Sequence, residues 1–187
     1  MSRQGGARLA AMVVCAFAAA AMTSTAASAG TGSTIADKHS VEIDVHGRIG
    51  QHCAMGSLGG VDFGDLNRPG LQASERVQFS CNVPFSIRIQ AEHGALANLQ
   101  YPGGQGPYAG RLDYTLGVAI PLRKPAAAML THSFTSRELM GGRTLSSAGG
   151  IALEGMTLDL ALGRPSGEGG LLAGDYGETI TITVAPV

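Results

Sequence analysis

Between Val77 and Ile89 the chain alternates without a break. Val77, Phe79, Cys81, Val83, Phe85, Ile87 and Ile89 are apolar, and Gln78, Ser80, Asn82, Pro84, Ser86 and Arg88 stand between them. Successive side chains of a β-strand point to opposite faces, so such a stretch has one buried face and one wet face. A helix would scatter the same apolar residues around its circumference. The alternation predicts one long strand with Cys81 on its buried side.

Four other segments repeat the pattern. Val41, Ile43 and Val45 alternate with Glu42, Asp44 and His46; Leu112, Tyr114, Leu116 and Val118 alternate with Asp113, Thr115 and Gly117. Met156, Leu158, Leu160 and Leu162 alternate with Thr157, Asp159 and Ala161, and Ile180, Ile182 and Val184 with Thr179, Thr181 and Thr183. The Thr and Ile content of the last segment suits a pleated surface. Breaks rich in Gly and Pro separate the runs, at Asn67-Arg68-Pro69-Gly70, Tyr101-Pro102-Gly103-Gly104 and Gly167-Glu168-Gly169-Gly170. Regular strand–turn spacing of this kind predicts an all-β antiparallel sandwich rather than a parallel sheet with crossover helices. Residues 119–143 are open between a long loop and a structure containing a short helical turn at Ala126 to Leu130.

The N-terminus reads as an export signal outside the fold. Arg3 and Arg8 precede an apolar run from Leu9 to Ala21, and Ala27-Ser28-Ala29 supplies the small-x-small cleavage pattern. The run is shorter than the roughly 20 residues that span a bilayer. We therefore expect residues 1–29 to be a Sec signal peptide. The protein would pass through the periplasm to the cell surface or medium, as one domain of residues 30–187. The signal takes two of the 13 basic residues and none of the 14 acidic ones, which leaves residues 30–187 at a formal net charge of −3. A chain of that charge without a clustered Lys/Arg run is not expected to bind nucleic acid. Of the three cysteines, Cys15 falls in the signal, and an isolated pair in an exported chain, Cys53 and Cys81, predicts one disulfide.

The sequence holds no constellation that would carry catalysis. His39, His46, His52, His93 and His132 are scattered without a metal-ligand spacing, so neither a metal nor another cofactor is expected. Asp62-Phe63-Gly64 reads as a strand entering a turn, and Gly103-Gly104-Gln105-Gly106 runs into Pro107 rather than into a helix start that would cradle phosphate. Gly56-Ser57-Leu58-Gly59 lacks the nucleophile-elbow spacing, and Asp175 sits where a turn residue belongs. The expectation is a protein that is not an enzyme.

The order of the features carries a resemblance. Ile49-Gly50-Gln51-His52-Cys53 ends a strand in a cysteine. Val61-Asp62-Phe63-Gly64 follows, then Phe79-Ser80-Cys81, then Arg111-Leu112-Asp113-Tyr114-Thr115-Leu116. The close is Leu172-Ala173-Gly174-Asp175-Tyr176-Gly177-Glu178, running into Thr179-Ile180-Thr181-Ile182-Thr183-Val184. Over roughly residues 40–187 the chain resembles the spore coat protein U domain family, which includes the pilin subunits of archaic chaperone–usher fimbriae. The closing segment is the most specific piece. The chain departs from the family in carrying no tryptophan within residues 119–143, and in the polar Asp37, Lys38 and His39 of its N-terminal arm.

The resemblance implies an immunoglobulin-like sandwich that lacks its last strand and leaves a hydrophobic groove. A periplasmic chaperone would fill the groove first. An outer-membrane usher would then exchange it for the arm of the next subunit, giving a homo- or hetero-polymer that serves adhesion or biofilm. Such strand addition binds through main-chain hydrogen bonds and alternate side chains in pockets. Residues 30–40 would be a flexible arm, residues 41–187 the domain, and Ile35, Val41, Ile43 and Val45 the donor-strand candidates. Val41 to Ile49 read equally well as the subunit's own first strand. Phe79, Phe85, Tyr176, Ile180, Ile182 and Val184 are the candidates for core or groove. A competing expectation is a monomeric secreted module that binds a carbohydrate or a surface.

Overall fold

The computed structural model describes residues 40–187. The chain divides into two units, Met1–His46 and Gly47–Val187; the second contains every strand found among the described residues. The expected signal peptide, Ile35 and most of the arm lie outside the described residues.

In chain order the elements are β1 (Cys53–Met55), β2 (Gln72–Val77), β3 (Phe79–Cys81), β4 (Phe85–Ala91), β5 (Leu96–Asn98), β6 (Arg111–Leu112) and β7 (Tyr114–Lys124). They continue with β8 (Ala126–Thr135), α1 (Ser136–Leu139), β9 (Arg143–Ser146), β10 (Ile151–Ala152), β11 (Met156–Leu162), β12 (Tyr176–Gly177) and β13 (Ile180–Pro186). Strands make up 47% and helix 3% of the described residues, so the expected all-β class is what the chain adopts.

One layer is built around β7. Its residues 115–119 pair with β8 on one side and with β11 on the other, and β10 extends the β11 side. Beyond β10 and β11 lie β3 and β2, and β1 closes the layer against β3. The other layer is β13–β4–β9, continued at one end by β12–β5–β6. With β2/β3 and β10/β11 each taken as one interrupted strand, the order is β1, β2/β3, β10/β11, β7 and β8 over β13, β4 and β9. An immunoglobulin constant-type sandwich sets strands A, B, E and D over C, F and G. Here β1, β2/β3, β10/β11 and β7 stand as A, B, E and D, and β4 and β13 as C and F.

Inward residues of both layers form one core. Phe85, Ile87 and Ile89 of β4 meet Leu116, Val118 and Ile120 of β7 and Met156 and Leu158 of β11. Phe79 and Phe85 pack edge to face across the layers, with centroids 4.9 Å apart. Both are therefore core residues.

Three expectations are corrected. The stretch from Val77 to Ile89 is three strands, with β2 and β3 in one layer and β4 in the other. The chain leaves the first layer at Asn82-Val83-Pro84, where Pro84 has no N–H to give a ladder. Asn82 turns its side chain back, accepting from the His52 N–H (2.7 Å) and donating to the Gly50 carbonyl (2.8 Å). The smaller break at Gln78 is a kink: Gly56 N–H donates to the Gln78 carbonyl and Gly155 N–H to the Phe79 carbonyl. Gly155 has φ 86°, and a Cβ there would lie 2.9 Å from the Val77 carbonyl oxygen, so only glycine fits.

Residues 119–143 form neither a loop nor a helical turn at Ala126. They complete the β7–β8 hairpin, pass through α1 and enter β9. Ten cross-strand pairs, from Thr115–Thr135 to Lys124–Ala126, override the helix preference of the alanines. The segment Ile49 to Cys53, expected to be a strand ending in cysteine, instead begins its strand at Cys53.

Candidate functional site

The flank of the sandwich beside β13 is open. The β13 strand pairs with β4 on one side only, and among the described residues no strand pairs with its other edge. That is where strand G of the immunoglobulin arrangement would lie. In the facing layer, β1 covers only β3, through Cys53–Cys81, Ala54–Ser80 and Met55–Phe79, so the outer edge of β2 is unpaired as well. The chain from Ser57 to Phe63, between β1 and β2, has no regular structure. Its backbone makes none of the hydrogen bonds that join loops to strands elsewhere in the domain.

Apolar side chains line the opening. Ile180, Ile182 and Val184 project inward from β13, and Leu160 and Leu162 from the end of β11; all five touch the core but stay half-buried. Alternation on β2 turns Ala73 and Glu75 to the same side as buried Val77. Glu75 stands opposite Leu158, so one carboxylate is set on the inner face of a free edge. Inward-pointing charge of this kind discourages indiscriminate strand pairing.

Cys53 and Cys81 are joined by a disulfide across β1 and β3, as the cysteine count predicts. It fastens the short β1 to the layer beside the opening. Of the donor candidates within the described residues, Val41, Ile43 and Val45 lie in no strand and are 85%, 76% and 87% exposed. The reading of Val41 to Ile49 as the domain's own first strand is thereby overturned, because that place is held by Cys53–Met55. Among the described residues, Val41, Ile43 and Val45 have no ladder partner.

Tyr176 is not in the groove. It stands on β12, where its hydroxyl donates to the Leu172 carbonyl (2.7 Å) with the Ala109 carbonyl 3.1 Å away. A tyrosine at the entry of strand F bonded to backbone a few residues upstream is the tyrosine corner of immunoglobulin-type sandwiches.

Sequence reasoning passed over Glu178. Its side chain is 3% exposed, and its carboxylate accepts from the N–H groups of His93 (3.0 Å), Ala95 (3.0 Å) and Thr179 (2.8 Å). Three backbone donors offset the cost of burying that charge, and they tie the β4–β5 connection to the start of β13. Tyr114 lies close enough to feel it: burial first, and the Glu178 charge second, push the phenol well above the usual tyrosine range. Nothing in the local sequence marks Glu178, since two of its three partners, the His93 and Ala95 amides, are 85 and 83 residues away.

Among the described residues no group of three or more His, Cys, Asp or Glu side chains is gathered as a metal site. The fold defines a class: an all-β immunoglobulin-like sandwich with one flank apolar and, among the described residues, unpaired. No protein-family model matches the chain, and no curated protein or solved structure matches it either.

Proposed function

We propose that this chain is an exported, non-catalytic structural subunit of a bacterial surface fibre or coat, joined head to tail by strand exchange. The supporting observation is the pairing of an open, apolar strand position beside β13 with an exposed segment that alternates in the matching period. The proposed occupant is the segment Val41 to Ile49 of a second copy. Val41, Ile43 and Val45 would enter the opening between β13 and β2, and the segment's backbone would complete the β13 ladder.

Magnitudes favour an extended joint. Burying one Val or Ile fully is worth about 1.5–3 kcal/mol. Three such anchors together reach only the lower part of the roughly 4–15 kcal/mol that association costs. The backbone ladder, at about 0.5–1.5 kcal/mol per bond, must supply the remainder, which needs an unbroken strand. A joint of this type uses different surfaces on the two copies and does not close on itself, so its product is a filament. The family resemblance supplies the route: a periplasmic chaperone would shield the opening and an outer-membrane usher would direct the exchange.

The deciding experiment removes residues 30–43. The truncated protein is expected to keep its β-sheet circular dichroism and cooperative melting and to form no polymer, while its intact opening still captures a synthetic peptide of residues 40–50. If the full-length exported protein is a stable monomer that ignores that peptide, the fibre reading fails.

A further inference from the structure

A pocket on the opposite flank gathers three arginines from three distant parts of the chain. It has a volume of about 350 Å³ and is lined by Gly94, Arg111, Asp113, Arg137, Met140, Arg164 and Ser166. Arg111 comes from β6, Arg137 from α1, and Arg164 from the loop after β11. We propose that this pocket binds an acidic saccharide, a sugar carrying carboxylate or sulfate groups. The inference is independent of the strand-exchange reading. The pocket flanks β6 and the opening flanks β13, on opposite sides of the line formed by β4 and β5.

Two of the three arginines are already held in place. The Arg137 guanidinium contacts the Asp113 carboxylate at 2.8 Å, which fixes it and occupies the only acid in the lining. The Arg111 guanidinium donates to the His93 carbonyl, which orients it without neutralising it. Among the described residues Arg164 has neither an ion-pair partner nor a side-chain hydrogen bond, yet its loop is anchored. The neighbouring Gly163 N–H donates to the Asp113 carbonyl at 2.8 Å, and a Cβ on Gly163 would come within 2.9 Å of that oxygen. The pocket thus presents a net excess of two positive charges on a molecule whose formal net charge is −1. Guanidinium forks bind planar and tetrahedral oxyanions through paired N–H donors.

Size and lining argue for a sugar rather than a free ion. A water claims about 30 Å³ of liquid, so a lone sulfate of five heavy atoms would leave most of this space unfilled. The Met140 side chain offers an apolar wall for the C–H face of a ring. It lies so close to Gly94 that a Cβ there would sit 2.3 Å from its Cγ. Ser166 adds a hydroxyl suited to a sugar oxygen.

The test is titration of the full-length exported protein, by calorimetry or NMR, with a heparin-derived tetrasaccharide and an oligogalacturonate. Cellotetraose and inorganic sulfate serve as comparisons. The expected result is salt-sensitive binding of one or both acidic sugars and none of cellotetraose. Arg164→Ala should weaken binding roughly 10-fold or more, as loss of a charged hydrogen bond predicts, and Arg164→Lys should recover it in part. Arg76→Ala, which removes the same charge from β2 outside the pocket, should leave binding unchanged. Equal weakening by Arg76→Ala and Arg164→Ala would reduce the effect to bulk charge and overturn the assignment. Sulfate binding as tightly as the sugars would mean an adventitious ion only. Salt-sensitive self-association that Arg164→Ala abolishes, with no sugar bound, would assign the pocket to a second copy's carboxylates instead.

Discussion

On the flank where β8 and β9 face one another, α1 drops Leu139 into the gap. That side chain is fully buried, and Phe134 of β8 and Leu145 of β9 are nearly so. On the flank beside β13, only the short β1 approaches that strand among the described residues, and Ile180, Ile182, Val184, Leu160 and Leu162 stay half-buried. The apolar alternation along β13 is as regular as that along β4. Burial therefore depends here on the neighbour rather than on the strand itself, and a complete hydrophobic pattern with incomplete burial marks where a neighbour belongs.

The sharpest way to break this contrast is to loosen the open flank at its one covalent fastening. Replacing Cys53 and Cys81 by serine should cost about 2–5 kcal/mol, read as a lower midpoint in denaturant. The wild-type protein melted in reductant should approach the variant. A null result would mean that β1 is held by its ladder alone.

A paired substitution measures the two flanks against each other. Leu139→Ala on the closed side should destabilise the monomeric domain by about 2–5 kcal/mol, the usual cost of a buried Leu cavity. Ile182→Ala on the open side should cost the monomer much less, since its side chain already meets water, but should sharply weaken capture of the residue 40–50 peptide. Equal losses of monomer stability would show that the open flank is as well packed as the closed one.

The smallest effect concerns the cap of α1. Thr135 donates to Glu138 through its backbone N–H and its hydroxyl, both at 2.8 Å, and the backbone bond does most to hold the Glu138 carboxyl below the usual range. A carboxyl depressed in the folded state adds stability above its unfolded pKa, and that stability is lost as pH falls through the folded value. Glu138→Gln should therefore lower the melting temperature slightly at neutral pH and converge with wild type in acid. A constant offset at every pH would show that the charge is irrelevant to the cap.

Much of this architecture was legible in the alternation, and the places where it was not have a common cause. From Cys81 to Phe85 the chain passes from one layer to the other, yet inward residues of both layers point into the same core. The period of two therefore runs on undisturbed across the change of sheet. The alanines after Pro125 have strong local helix preference, and only their distant pairing with β7 decides otherwise. Half-burial of Ile180, Ile182 and Val184 is equally invisible locally, because it records what lies beside the strand. Arg111, Arg137 and Arg164 are far apart in the chain, and no local motif links them.

The disulfide also determines how the domain would bear tension. A pull applied through residues 40–49 meets the Asn82 hydrogen bonds at Gly50 and His52 and then Cys53, the first residue of β1. The sulfur link passes that load directly to Cys81, beside the core residues Phe79 and Phe85. A strand of three residues would otherwise unzip one hydrogen bond at a time. With the crosslink intact, traction is shared by the sheet as a whole, and only reduction would turn this anchorage back into a frayed end.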